Sequence, residues 1–431
     1  MFPRFMHRAP RAAVPVYLLL SGGGALLYMS VFTVNLLYHV ETVGLTPLQL
    51  VLVGTILETV IMLFEIPTGV VADMVSRRLS VLIGLALIGA GFVIEGAIPA
   101  FTAILASQVL WGIGYTFTSG ATEAWITDEV GEAHIGPVLL RGTQAELAGT
   151  FAGIILATAL GLVSIRLPIV FGGVGFIVLA VVLLRIMPEK NFRPAPKEDR
   201  STVRHMLAAA RDGFMVARSR PVVRVLLATS LLLGLASEAF DRLWAKHLID
   251  NVGFPALPGD GDLVLWFGGI ALVGTVLSLV ATEALKRLHP QSLEPGTPTR
   301  MLALLAGGRV VTTLGFAIAG SLPLALAMFW TRDLLGSLTS PIGQAWMNRN
   351  IEPRTRATVL SIQEQVGSLG EISGGPPMGW VGNRFGVRAA IAAAALVYSP
   401  VVAIYARASR LRDHVAEPAV AAEEAPPGEL A

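Results

Sequence analysis

The chain has 431 residues, of which 54% are hydrophobic and 14% charged, with a formal net charge of +2 and a mean hydropathy of +0.67. A soluble domain carries about 25% charged residues, and apolar runs of roughly 18 residues or more, each long enough to cross a bilayer, recur along this one, so an ordinary soluble fold is excluded. Cysteine is absent, which rules out disulfides and thiolate metal sites, and no histidine–carboxylate group has metal-ligand spacing.

In chain order, three arginines (Arg4, Arg8, Arg11) precede an apolar run from Val14 to about Tyr38. That run is too long for the core of a signal peptide, and no small-residue cleavage site ends it early, so it reads as a first membrane span. Hydropathy then predicts twelve spans, near 14–39, 46–72, 79–98, 101–128, 138–164, 167–187, 221–247, 263–286, 300–320, 322–347, 357–383 and 386–408. The expected architecture is all-α and polytopic. It comprises a six-helix bundle over 1–187, a linker over 188–220, a second bundle over 221–408 and a disordered tail over 409–431. Within the linker, Ser201 is placed to cap a short amphipathic helix, with Leu207, Ala210 and Phe214 on one face and Arg204, Arg211 and Arg218 on the other. The tail is rich in Ala, Glu and Pro, a composition that does not build a core.

The second half repeats the first. Thr118-Ser119 and Glu123-Ala124-Trp125 return 221 residues later as Thr339-Ser340 and Gln344-Ala345-Trp346. The same offset carries Gln144, Gly149, Gly153 and Gly161 onto Gln365, Gly370, Gly374 and Gly382. Tryptophan occurs only seven times, so the matched pair argues for duplication. Two parallel halves in one membrane chain point to a transporter whose halves rock about a midplane site.

Of the 32 Lys and Arg residues, 25 fall on the side shared by both termini, 5 on the other side, and 2 (Arg309 and Arg332) inside spans. Positive charge is retained on the cytoplasmic side, so both termini and the linker are expected there. The excess of Arg over Lys and the abundance of Ala suggest a GC-rich bacterial genome, and hence a bacterial cell membrane.

The junction of spans 2 and 3 reads Glu65-Ile-Pro67-Thr-Gly69-Val-Val-Ala72-Asp73-Met-Val-Ser-Arg77-Arg78. A Gly, an Asp four residues on and a basic cluster at this junction resemble the signature of the major facilitator superfamily. Span count, central linker and pseudo-symmetry agree over roughly residues 14–408. The resemblance implies a cytoplasmic latch of Gly69, Asp73, Arg77 and Asp128. In it, Asp73 docks at the start of span 11 near Ala357, where free N–H groups and the helix dipole favour a carboxylate. Arg77 pairs with Asp128 at the end of span 4, and Gly69 allows close helix contact. The alternative is that Arg77 and Arg78 act only as topology signals. Drug-antiporter members carry an Arg in span 4 where this chain has Gln108, and their Gly-Pro motif is missing from span 5.

Ionisable groups inside spans are costly and face a cavity or a partner. Spans 6 and 12 carry none in their middles, span 3 has only Glu95 near its outer end, and span 9 has Arg309. At about 1.5 Å rise per residue, Glu58, Arg309, Arg332, Asp333 and Glu371 fall near mid-membrane. Glu58/Glu65 and Glu364/Glu371 are each spaced i, i+7, which puts each pair on one helix face. Carboxyls buried at low dielectric hold a proton more tightly, so Glu58, Glu371 and Asp333 are candidates for proton coupling. The competing reading is a fixed bridge from Glu58 or Glu371 to Arg332. Glu238 and Arg242, spaced i, i+4, are expected to pair with each other, and Arg309 to be structural. Tyr28, Asn35, Trp111, Tyr115, Gln144, Arg332 and Gln365 are candidate cavity residues, with helix packing the competing reading for each aromatic. Gly and Ala on spans 5 and 11 read as packing residues.

The expected function is secondary active transport of a small organic molecule by proton-coupled efflux. Uptake by symport, or a non-transporting sensor on the same fold, are the alternatives. Intramembrane acids outnumber bases, which leans toward cationic or neutral amphipathic substrates. No nucleophile elbow or P-loop is present, so neither an enzyme nor an ATP-driven pump is expected. No cofactor or metal is called for. The expected partners are the substrate, protons and the lipid bilayer, without nucleic acid, and the chain is expected to act as a monomer.

Overall fold

Twelve helical spans follow from the apolar runs and from local capping chemistry. In the computed structural model, residues 12–194, 220–257, 261–287, 297–351 and 353–409 are described. The amphipathic helix expected around Ser201, the three N-terminal arginines and the tail beyond Arg412 lie outside them.

Span 1 is Ala13–Phe32, continued by Asn35–Leu37 and a wide π turn, Tyr38–Thr42. Spans 2 and 3 are Pro47–Met74 and Arg77–Ala97. Thr46 starts span 2 with a capping box: its Oγ1 accepts from the Gln49 N–H at 3.3 Å while its own N–H donates to Gln49 Oε1 at 3.0 Å. Ser76 caps span 3, accepting from the Leu79 N–H at 2.9 Å.

Span 4, expected as one helix, is two: Phe101–Thr118 and Ala121–Val130. Gly120 breaks it with φ +70, a left-handed conformation that glycine adopts without steric cost. Spans 5 and 6 are Ile135–Gly161 and Leu167–Ile186. Span 7 is Pro221–His247 followed by a second π turn, Leu248–Val252, and spans 8 to 11 are Asp262–Arg287, Thr297–Ile318, Leu322–Asn350 and Pro353–Phe385. Span 12 is interrupted between Val387–Tyr398 and Pro400–Ala408, where Pro400 has no N–H to give the helix ladder.

Among the described residues, nine helices are long and apolar enough to cross a membrane. Spans 4, 10 and 11 fall outside that set. Span 4 is broken, and spans 10 and 11 carry the charged Arg332 and Asp333, and Glu364 and Glu371.

The duplication is visible in the packing. Span 5 lies on span 1 through Gly149 and Gly153, where an added Cβ would meet the carbonyl oxygens of Gly22 and Leu26. Span 11 lies on span 7 through Gly370 and Gly374, against the carbonyls of Leu231 and Leu235. Small residues thus bring two backbones together in each half, at positions related by the offset read from sequence. Trp125 and Trp346 are both 1% exposed. Within the first half, span 3 packs on spans 4 and 6; within the second, span 9 packs on spans 10 and 12. The fold is all-α and polytopic, with two pseudo-symmetric six-span bundles that meet where span 2 touches spans 7 and 11 and span 5 touches span 8.

Candidate functional site

The seam between the halves is closed at one end. Leu48 donates its N–H to Asn383 Oδ1 at 3.0 Å, and Gly375 and Gly379 of span 11 press on Val51 of span 2. Gly261 and Gly268 of span 8 sit against Leu162 and Thr158 of span 5. All these contacts lie at the end away from the termini. Toward the termini, Gly69 and Gly136 look onto open space and Leu63 is 63% exposed. Gly69 therefore does not make the close helix contact expected of it, because the termini-side ends of spans 2 and 11 are parted.

Carboxylates form two rungs across this seam. Glu58 of span 2 and Glu371 of span 11 are within hydrogen-bonding reach of each other. Two turns nearer the termini, Glu65 faces Glu364 closely enough for their charges to interact. The equal i, i+7 spacing on two antiparallel helices produces both rungs. Ser368 hydrogen-bonds Glu58, and Ser237 Oγ donates to Glu371 Oε1 at 3.5 Å.

Span 7 supplies the adjoining cation. Arg242 Nε meets Glu238 Oε2 at 3.3 Å, the pairing expected from sequence. This pair lies directly over Gly54 of span 2, where a Cβ would collide with the Glu238 carboxylate. Gly54 is thus a seam residue that sequence reasoning missed. The bridge from Arg332 to Glu58 or Glu371, the competing reading of these acids, does not form. Arg332 instead meets Asp333 at 3.0 Å and Asp241 at 3.7 Å, with its guanidinium 3.5 Å from the Phe240 ring centroid. Around the seam, five carboxyls (Glu58, Glu238, Asp241, Asp333, Glu371) thus face the guanidiniums of Arg242 and Arg332, with the Arg309 charge reaching Asp333 from farther off. Asp333 also lines a cavity of about 390 Å³ between spans 5, 8 and 10.

The proposed cavity residues divide. Tyr115 is 43% exposed, and Gln144 and Glu146 are exposed; Gln365 is half-buried. Tyr28 and Trp111 belong to an aromatic nest: Tyr28 stacks on Phe32 at 5.6 Å, and Trp111 lies 5.2 Å from Phe32 and 5.6 Å from Phe92. Asn35 is buried, and its Nδ2 donates to Glu95 Oε1 at 2.5 Å.

Glu95 is a centre that sequence reasoning missed. Its side chain is fully buried; Oε1 also meets His39 Nε2 at 2.8 Å, and Oε2 accepts from Ser107 Oγ at 2.8 Å and Gln108 Nε2 at 3.4 Å. Gln108, which stands where drug antiporters carry Arg, is thus a ligand of this carboxylate. The offset of 221 maps Glu95, Ser107 and Gln108 onto Phe316, Met328 and Phe329. Phe316 and Phe329 are 6.0 Å apart in an aromatic cluster. Both carbonyls are held by a side chain, although the donors are not related by that offset: Tyr38 OH donates to the Glu95 carbonyl at 2.7 Å, and His247 Nε2 meets the Phe316 carbonyl at 2.9 Å. The same fold position is therefore polar and hydrogen-bonded in one half and aromatic in the other.

At the termini face, Arg77 Nη1 meets Asp128 Oδ2 at 2.7 Å and Arg77 Nη2 lies 4.0 Å from Asp73 Oδ1. Asp73 is exposed. Two further acids tie the N-terminal half together at this face. Glu129 accepts the N–H groups of Lys190 and Asn191 at 2.6 and 2.9 Å, and Glu189 accepts Ser76 Oγ at 2.6 Å and the Arg78 N–H at 2.9 Å. Hydropathy could not single these out, because both lie at span ends where charge is common.

Comparison with known proteins places this geometry. The sequence profile of the Major Facilitator Superfamily matches residues 18–375. The uncharacterized MFS-type transporter YxaM of Bacillus subtilis is 20% identical over 370 residues, covering 85% of this chain and 89% of that protein. The solved structure of the nucleoside transporter NupG superposes with a TM-score of 0.69 at 14% identity, covering 92% of this chain and 98% of that one. A bacterial homologue of the human lysosomal transporter Spinster, in an inward-facing, unoccupied conformation, gives a TM-score of 0.69 at 17% identity, covering 92% and 96%.

Proposed function

The chain belongs to the major facilitator superfamily and is a multi-pass secondary transporter, and on that premise we propose that it exports a small amphipathic molecule in exchange for protons, with Glu58 and Glu371 as the coupling pair. The observation that carries this reading is the contact between these two carboxyls across the closed part of the seam. Two carboxyl groups hydrogen-bond each other only while they share a proton. The local excess of acids over guanidiniums supports the same protonation, because uncompensated charge in the membrane interior is costly.

The exchange follows from the seam. With the shared proton in place, spans 2 and 11 close the end away from the termini and the cavity opens toward the termini. Orientation by the basic asymmetry makes that side the cytoplasm. Loss of the proton leaves two carboxylates face to face. At about 4 Å and an effective dielectric constant near 20, their repulsion is roughly 4 kcal/mol, enough to tilt two states that differ by a few kcal/mol. The seam then parts on the far side and releases substrate outward, where a new proton closes it again. Proton and outward release are mutually exclusive in this cycle, which is the logic of antiport. The acids that line the parted seam, Glu65 and Glu364, favour a substrate carrying positive charge.

Arg77, Asp128 and Asp73 serve as the latch of the termini face in the outward-open state. In the conformation described, Arg77 already holds Asp128, and Asp73 remains exposed until span 11 approaches. Proteoliposomes test the function. Substrate movement driven by an imposed pH gradient, in the direction opposite to the proton, is the expected result. Gradient-independent flux, or flux in the same direction as the proton, would refute exchange.

A further inference from the structure

The C-terminal bundle contains a further guanidinium, whose charge reaches Asp333 only from beyond ion-pair distance. Arg309 of span 9 lies near mid-membrane with its guanidinium 5.4 Å from the Tyr398 ring centroid. Among the described residues, no carboxylate lies within 4.0 Å of it. An unpaired cation at this depth is costly unless it faces a partner or a wet cavity. Arg309 does line a cavity of about 330 Å³ formed by residues of spans 7, 9, 10, 11 and 12, a size within the range of small-molecule sites, about 300–1,000 Å³.

The fold itself does not require this arginine. The offset of 221 maps Arg309 onto Ile88, which is fully buried and packed against Gly114. Span 3 thus fills the equivalent position with an aliphatic side chain. The second half instead has a cavity there, with a cation inside it.

The cavity walls define the ligand. Arg309 offers a planar fork of N–H donors that matches a carboxylate. Glu364 lines the same cavity and makes no salt bridge among the described residues. Arg309 on span 9 and Glu364 on span 11 thus put opposite charges on the walls of one cavity. Leu226, Leu233 and Leu360 supply apolar wall, and Ser230, Gln344 and Gln363 supply hydrogen-bonding groups.

We propose that this cavity binds a small amphipathic zwitterion, with its carboxylate on the Arg309 guanidinium, its ammonium toward Glu364 and its apolar body along the leucines. The proposal rests on the transport reading for the identity of this ligand as the substrate, and it deepens that reading by assigning the substrate two charges. It also reconciles the acidic seam, which attracts the ammonium, with a cavity that holds a cation.

Calorimetric titration of the full chain in nanodiscs of a neutral lipid tests it, with three probes of one shape: phenylalanine, 3-phenylpropionate and phenethylamine. Phenylalanine is expected to bind about tenfold more tightly than either single-charge probe, because each lost partner leaves a polar group of the site unpaired. Arg309→Ile, which gives span 9 the side chain that Ile88 places in span 3, should remove the advantage of phenylalanine over phenethylamine. Glu364→Gln should remove its advantage over 3-phenylpropionate. Arg309→Gln provides a second variant if the isoleucine form does not fold. Equal affinity for all three probes, absence of binding by phenylalanine at millimolar concentration, or unchanged phenylalanine affinity in both Arg309 variants would overturn the proposal. Binding is read here without a gradient, so failure leaves the Glu58–Glu371 coupling standing, and failure of coupling leaves this site standing.

Discussion

Removal of the Glu95 carboxylate should destabilise the N-terminal bundle far more than most single substitutions. Glu95→Ala strips acceptors from four buried donors, three of them at 2.5 to 2.8 Å and Gln108 at 3.4 Å. A hydrogen bond to a charged group contributes about 1.5–3 kcal/mol, but these share one carboxylate and are not additive. Each buried donor left unsatisfied costs about 1–3 kcal/mol, so a total of roughly 3–5 kcal/mol is the magnitude expected here. Shifts of roughly 2–4 °C per kcal/mol for a unit the size of one bundle give a fall of about 6–20 °C in apparent melting temperature. Asn35→Ala removes one donor and leaves the others in place, so its effect should stay within about 1–3 kcal/mol. Fluorescence-detected size exclusion after heating, in one detergent for all variants, measures both. A Glu95→Ala protein that melts with the wild type, or below which Asn35→Ala falls, would refute the view that this carboxylate organises spans 1, 3 and 4.

Three further outcomes are expected. Gly54→Leu should part spans 2 and 7, because its side chain would occupy the place of the Glu238 carboxylate, and transport should fall about tenfold or more, since misplacement of about 1 Å at a site costs about 100-fold; uptake into proteoliposomes checks it. Asp73→Asn should shift the population toward the conformation open at the termini face and slow transport without unfolding, by up to roughly 2 kcal/mol; distances between spin labels at the termini ends of spans 2 and 11 report the shift, and an unchanged distribution would remove Asp73 from the latch. Single cysteines placed at Asn191 and Gly259 should react with an impermeant reagent from opposite sides of the membrane; reaction of both from one side would contradict the twelve-span topology.

Span count, duplication and the roles of the small residues were legible in the sequence because each leaves a periodic trace. Apolar length sets a span, and Gly149, Gly153, Gly370 and Gly374 keep their offset because two backbones meet there in each half. The Glu58/Glu371 and Glu65/Glu364 rungs were half legible: the i, i+7 spacing fixed each face, but only the packing of span 2 on span 11 brings the faces together. The alternative of an Arg332 bridge could not be settled from depth, which ranks groups along the membrane normal and says nothing of azimuth; Asp241 and Asp333 are its neighbours. Glu95 was hidden by its place near a span end, and its ligands come from spans 1 and 4, far away in the chain. The break in span 4 followed from one backbone angle at Gly120, in a sequence whose hydropathy runs on unbroken. Gly54 carries no signal of its own, since its meaning lies in the carboxylate that packs over it.

Proton movement through the Glu58–Glu371 pair tests the account most directly. Proteoliposomes loaded with a pH-sensitive dye, holding substrate inside and an acid pulse outside, report proton entry coupled to substrate exit. The account predicts a substrate-dependent proton influx in the wild type and none in Glu58→Gln or Glu371→Gln, while both variants still bind substrate with near wild-type affinity. Wild-type proton influx in both variants would contradict it.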